Sequence, residues 1–178
     1  MLRLLLLRHG KATRKDGQFE DFDRPLTVEG WEEARRIGRF LSEELAPGLI
    51  VASSSRRTRE TLAGVLSFLA REVTCQLERG LYDAGVADLL DFTASADADP
   101  STILLIGHNP GFEEALRFLS WPDDPSAAAA ISAGLPTGGL AVFEFDVTSW
   151  PEVRPGQGRL VLVKSPRELS PSEPPPKD

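Results

Sequence analysis

The chain has 178 residues, with 20 Lys+Arg against 27 Asp+Glu and a formal net charge of −7. A pI near 5.0 makes the chain a poor candidate for general nucleic-acid binding, which needs a broad basic footprint, while leaving room for a local basic pocket. The single cysteine, Cys75, excludes an intrachain disulfide and a thiolate zinc cluster, and it fits a reducing compartment.

Leu2 to Leu7 is a near-continuous apolar run, the pattern of a strand covered on both faces. It stops at Arg8, too early for a signal h-region or a membrane span, and no small-residue cleavage site comes after it. The expectation is a cytoplasmic protein with no membrane partner. Residues 11–26 are polar, contain Gly17 and Pro25, and read as a loop. Thr27 is placed to cap a helix running to about Leu45, with Trp31, Ala34, Gly38, Leu41 and Leu45 on its apolar face and Pro47-Gly48 ending it.

Leu49 to Ala52 predicts a second strand, followed by three serines and a helix from about Arg56 to Ala70. Val73 to Leu77 predicts a third strand and Val86 to Ser95 a weaker helix. Thr102 to Ile106 is another buried strand. Asn109 is placed to cap the next helix, with Pro110 at the first helical position and Phe112, Ala115, Leu116 and Leu119 as the buried stripe. The Ala/Ser/Pro-rich stretch 122–136 reads as a surface excursion. Leu140–Val147 and Leu160–Val163 predict two more strands. A Pro-rich tail, residues 166–178, is expected to be disordered, leaving residues 1–165 as one domain. Strands alternating with helices argue for an α/β fold with a mainly parallel sheet, whose ligands bind beyond the carboxyl ends of the strands.

Only two histidines occur, and each ends a predicted strand: His9 in Arg8-His9-Gly10 and His108 in Gly107-His108-Asn109. One such histidine is ordinarily structural; two at matching positions shift the balance toward chemistry. Arg56, Arg57 and Arg59 crowd a helix start that already carries partial positive charge. Either a bound anion collects them or they form a solvated face paired with Glu60. Lys11, Asp23 and Arg24 read mainly as loop residues, with Asp23 and Arg24 paired. Trp31, Trp121 and Trp150 read as core or boundary packing.

Taken in order, Arg8-His9-Gly10 after the first strand, a Ser-x-x-x-Arg-x-x-x-Thr segment after the second (Ser53, Arg57, Thr61) and Gly107-His108-Asn109 after a later one resemble the histidine phosphatase superfamily. The likeness is closest to its SixA-type phosphohistidine phosphatases. Asp23-Arg24-Pro25-Leu26-Thr27, Leu81-Tyr82-Asp83-Ala84 and Leu135-Pro136-Thr137-Gly138-Gly139 are similar to that subgroup. The resemblance implies a phosphoglycerate mutase-like three-layer α/β/α sandwich, minimal and uncapped. It implies His9 as the nucleophile, Arg8 and Arg57 as phosphoryl clamps, and His108 as the second histidine of the pocket. No cofactor and no metal are implied.

The chemistry is consistent with these residue types. An attacking imidazole must be neutral at one nitrogen, and neighbouring guanidinium groups lower its pKa. Charge on phosphoryl oxygens is met by positioned cations, among them a protonated His108. The general acid is the open element. Asp83 is the first candidate and Glu78 a lesser one, with an exposed aspartate at a helix start as the preferred reading of Asp83. SixA-type members typically lack the usual acid, which fits a phosphoramidate substrate. The expected activity is therefore hydrolysis of phosphohistidine on a partner protein. A small-molecule phosphomonoesterase and a non-catalytic phosphate-binding module are the alternatives.

Overall fold

The computed structural model describes residues 1–70, 72–95, 100–122 and 124–169. Six strands form one sheet: β1 (Leu2–Arg8), β2 (Leu49–Ser53), β3 (Thr74–Glu78), β4 (Thr102–Gly107), β5 (Leu140–Phe145) and β6 (Arg159–Lys164), in the order β3-β2-β4-β1-β5-β6. The pairs β1/β4, β2/β4 and β2/β3 are parallel, whereas β5 is antiparallel to both β1 and β6. The sheet is thus mixed, with only β5 reversed, on the α/β architecture expected from the sequence.

Five helices cover it: α1 (Val28–Glu44), α2 (Arg56–Leu66), α3 (Val86–Ala94), α4 (Gly111–Leu119) and α5 (Pro125–Ala133). Alternation along each strand divides the core in two. Leu5, Leu7, Ile50, Ala52, Leu104 and Ile106 meet Ile37, Leu41, Leu62 and Val65 from α1 and α2. Leu4, Leu6, Val51, Ile103 and Leu105 meet Leu89, Phe112, Ala115, Leu116 and Ala127 from α3, α4 and α5. Trp150 is buried in the second layer, Trp31 is half-buried, and Trp121 lies exposed.

Several boundaries differ from the sequence reading. Helix α2 stops at Leu66, where Ser67 caps it, rather than near Ala70. The stretch 122–136 holds α5 and is not a bare excursion. Asn109 does not cap α4; Pro110 stands at that position, and the Asn109 amide instead donates to the Glu113 carboxylate at 2.8 Å and to the Leu135 carbonyl at 3.0 Å. Past residue 165 the chain turns once at Pro166–Glu168, and Leu169 packs against the layer of α1. The rest of the Pro-rich tail lies outside the described residues. Among the described residues no helix is long and apolar enough to cross a membrane.

The end of β1 rests directly on the start of α1. A Cβ at Gly10 would stand 2.5 Å from the Gly30 carbonyl oxygen, and one at Gly30 would stand 2.2 Å from that of Lys11. Here backbone touches backbone, a close approach that only glycine permits. Gly30→Ala is expected to destabilise the fold by about 2 kcal/mol or more, since neither neighbour can yield by rotating a side chain. Chemical denaturation of the variant reads this loss.

Candidate active site

The carboxyl ends of β1, β2 and β4 converge on one cleft of about 370 Å³, lined by Arg8, His9, Arg57 and His108 together with Asp21 and Tyr82. His9 and His108 leave adjacent parallel strands; their ring centroids lie 5.1 Å apart. Arg57 enters from the first turn of α2 with its side chain buried. The four residues singled out from sequence therefore share one cavity.

Hydrogen-bond partners fix both imidazoles. His9 Nδ1 lies 2.7 Å from the Gly10 carbonyl oxygen, which can only accept, so Nδ1 carries the hydrogen and Nε2 the lone pair. Arg57 Nε–H points at that Nε2 from 3.2 Å. In His108 the arrangement is reversed. Nδ1 faces Arg57 Nη2 at 3.3 Å and accepts, while Nε2 lies 3.0 Å from the Ser53 hydroxyl, to which its hydrogen is directed. Burial, opposed by the Gly10 carbonyl and reinforced by Arg57, Arg8 and Arg24, lowers the His9 pKa to about 4. Burial, then His9 and Arg57, lower that of His108 to about 3. Both rings are neutral near pH 7 in the anion-free cleft.

The scaffold behind these groups is built from the same motif residues. The Gly10 N–H donates to the Thr61 hydroxyl at 3.0 Å, and that hydroxyl donates to the Arg57 carbonyl at 2.7 Å. Thr61 thus links the end of β1 to the first turn of α2. The Gly138 N–H donates to the His9 carbonyl at 3.0 Å. Arg8 Nη1 donates to the Leu135 carbonyl at 2.7 Å, whereas its buried Nε has no hydrogen-bond partner among the described residues. Burial lowers the Arg8 pKa, partly offset by Glu113 and Glu33.

The remaining candidates separate clearly. Arg56 pairs with Glu60 at 2.8 Å, as the solvated-face reading has it, and Arg59 is exposed. Lys11 lines the cleft but is ion-paired with Glu29. Arg24 pairs with Asp21 at 3.1 Å and not with Asp23, because its Nη1 is held by the Thr13 carbonyl across the loop. Asp83 is exposed and also lines the cleft, whereas Glu78 is absent from its lining. Asp21 escaped sequence reasoning, and Ser53 and Tyr82 entered it as motif positions without a role in the site. Tyr82 sets its ring edge-on to His108 at 5.2 Å and its hydroxyl on the Asp21 carboxylate. Among the described residues no group of three or more His, Cys, Asp or Glu is arranged to hold a metal.

The model of the histidine phosphatase superfamily (branch 1) matches residues 4–106, more than half of the chain. The chain belongs to the histidine phosphatase superfamily. The structure also superposes on solved members of this superfamily. It is similar to a structure assigned as phosphohistidine phosphatase SixA from Nakamurella multipartitia, with a TM-score of 0.79 and 28% identity over 93% of this chain and 96% of that one. A second SixA assignment, from Agrobacterium tumefaciens, gives a TM-score of 0.76 and 27% identity over 92% of this chain and 97% of that one. A chloroplastic protein of Arabidopsis thaliana, itself uncharacterized, is 37% identical over 130 residues. That match takes in 66% of this chain and spans 59% of the relative's length. Within the superfamily, the likeness is therefore to SixA-type members.

Proposed function

We propose that this chain is a metal-independent phosphatase that moves a phosphoryl group from phosphohistidine on a partner protein to Nε2 of His9, and from there to water. The observation that carries this reading is the state of His9. Its ring is neutral, its Nδ1–H is tied to the Gly10 carbonyl, and its lone pair points into a cleft ringed by Arg8, Arg57 and His108.

In the first step the Nε2 lone pair forms a bond to phosphorus, and the phosphorus–nitrogen bond of the substrate breaks. The bonding pair leaves on the substrate imidazole, whose other nitrogen already carries a proton or takes one from solvent. In the second step water attacks the phosphoryl group on His9, loses a proton, and releases phosphate with His9 restored. The guanidinium groups of Arg8 and Arg57 balance the charge on the phosphoryl oxygens throughout. An imidazole leaves more readily than an alkoxide, so this substrate class makes a small demand on a general acid. The site supports that pairing: among the cleft's lining residues Asp83 is the one carboxylate not already engaged by cations, and it is exposed. Around Arg8, His9, Arg57 and His108 the cleft is rimmed by the 11–26 loop, Tyr82 and Asp83, Asn109 and Thr137, and no further described residue lines it; a rim of this kind suits a phosphoryl group displayed on a macromolecule. The names of the two SixA relatives agree with this substrate.

The position of Asp83 on the cleft favours one second reading, a small-molecule phosphomonoesterase in which Asp83 protonates an alkoxide. The two readings diverge on one experiment. Purified protein is offered a phosphohistidine phosphotransfer protein and a panel of phosphomonoesters, with and without Asp83→Asn. The expected result is faster turnover of the phosphohistidine protein, changed less than about threefold by Asp83→Asn, because general-acid assistance worth roughly 10²-fold is not drawn upon. Preferential turnover of monoesters, lost in Asp83→Asn, replaces the first reading with the second.

A further inference from the structure

Arg57 reaches the cleft with most of its donors engaged. Nε–H faces His9, and Nη2 faces His108 Nδ1 at 3.3 Å and Asp21 Oδ2 at 3.2 Å. Nη1 donates to the backbone carbonyl of the same Asp21. A single residue of the 11–26 loop thus holds both arms of the guanidinium fork. The Asp21 carboxylate also receives the Tyr82 hydroxyl and Arg24 Nε at 3.1 Å and is ion-paired with Lys15 Nζ at 3.7 Å. So many donors keep it ionised: the Tyr82 bond first, then Arg57, Arg24 and Lys15, outweigh partial burial and lower its pKa to about 2.

This anion lines the cleft where an incoming phosphoryl group must find its cations. Its presence has two opposed effects. It pins Arg57 with Nε toward the His9 lone pair, and it repels a second anion placed against the same guanidinium. For an enzyme that must release inorganic phosphate after every cycle, the repulsion is useful, because buried arginines alone hold a dianion tightly.

We infer that Asp21 is a positioning residue for phosphoryl transfer, fixing Arg57 against His9 and keeping the cleft from retaining free phosphate. The transfer half of this inference rests on the proposed phosphatase reading; the phosphate-affinity half does not. A prop that merely stabilised the fold would weaken binding and turnover together. A residue with this double role moves them in opposite directions.

The test uses the full chain and Asp21→Asn, which keeps the shape and the backbone carbonyl but removes the charge. Calorimetric titration with inorganic phosphate is expected to show about tenfold tighter binding, the size of a like-charge contact of several ångströms in a partly buried site. At the same time kcat toward a phosphohistidine protein is expected to fall about tenfold through lost alignment. Asp21→Glu, which restores the charge on a longer arm, is expected to return phosphate affinity to the wild-type value while leaving kcat reduced. Weaker phosphate binding in Asp21→Asn, or no change in either quantity, overturns the inference. If Asp21→Asn does not fold, Asp21→Glu decides alone: a joint loss of affinity and kcat overturns it. A wild-type protein that binds phosphate but turns over no phosphorylated substrate sinks the phosphatase reading only, and the phosphate titrations still decide the role of Asp21.

Discussion

His9→Asn is expected to reduce turnover of a phosphohistidine protein by at least about 10³-fold, the scale seen when a covalent nucleophile is removed. Asparagine retains an amide that can reach the Gly10 carbonyl but offers no basic nitrogen where Nε2 stands. Rapid quenching of the wild type with radiolabelled substrate should trap acid-labile phosphate on residue 9, and the variant should trap none. A wild-type protein that binds phosphate yet never becomes labelled would identify a recognition module and refute the mechanism. The pH dependence is a second signature. With the His9 pKa lowered to about 4, its neutral form prevails from pH 5 to 8. The acidic limb of kcat/KM is therefore expected near pH 4 and not at the ordinary imidazole value of about 6.5. The same shift acts on stability. On acidification the unfolded chain takes up its histidine protons at about pH 6.5, while folded His9 resists until about pH 4. Stability is accordingly lost as the pH falls through that window, by about 3 kcal/mol from His9. Urea midpoints of His9→Asn should depend less steeply on pH there.

Arg57→Ala is expected to reduce kcat/KM by about 10²- to 10³-fold, the range for loss of one preorganised donor to a transferring group. The side chain is buried and touches His9, His108 and Asp21 at once, so its removal leaves three polar groups facing an empty volume. Arg57→Lys should recover only a small part of the loss, since a single ammonium cannot serve Nε2 of one ring and Nδ1 of the other in the same plane. Arg56→Ala is the matched control. Its guanidinium is spent on Glu60 outside the cleft, and activity within about twofold of wild type is expected. Equal losses at positions 56 and 57 would refute the assignment of roles within α2.

The parts of the site legible in the sequence are those that strand geometry dictates. A run such as Leu2–Leu7 announces a buried strand, and the residues just beyond its end must emerge at the sheet's edge; His9 and His108 stand at such positions. Arg57 is separable from Arg56 and Arg59 only through the Arg-x-x-x-Thr spacing. The structure supplies its reason, because Thr61 bonds both Gly10 and the Arg57 carbonyl. Asp21 is illegible in the sequence. It lies among Asp16, Glu20 and Asp23 in a polar loop, and its partner is 36 residues away. Ser53 opens the Ser-x-x-x-Arg-x-x-x-Thr segment, but its contact with His108 appears only once the end of β2 is placed beside that of β4. The reversed direction of β5 is hidden too, since a strand buried on both faces shows the same apolar run whichever way it points. Helix α5 escapes a pattern-based reading because Ala and Ser give no amphipathic contrast, although alanine is the strongest helix former.

The glycine contact between Gly10 and Gly30 has a mechanical consequence for His9. Flexible side chains between two elements act as springs that absorb thermal jostling; bare main chain laid on main chain has none to compress. Residue 9 is therefore tied, through the Gly10 main chain, to the main chain of α1 without an intervening side chain. An atom that must meet phosphorus along one line benefits from being anchored to the heaviest body available.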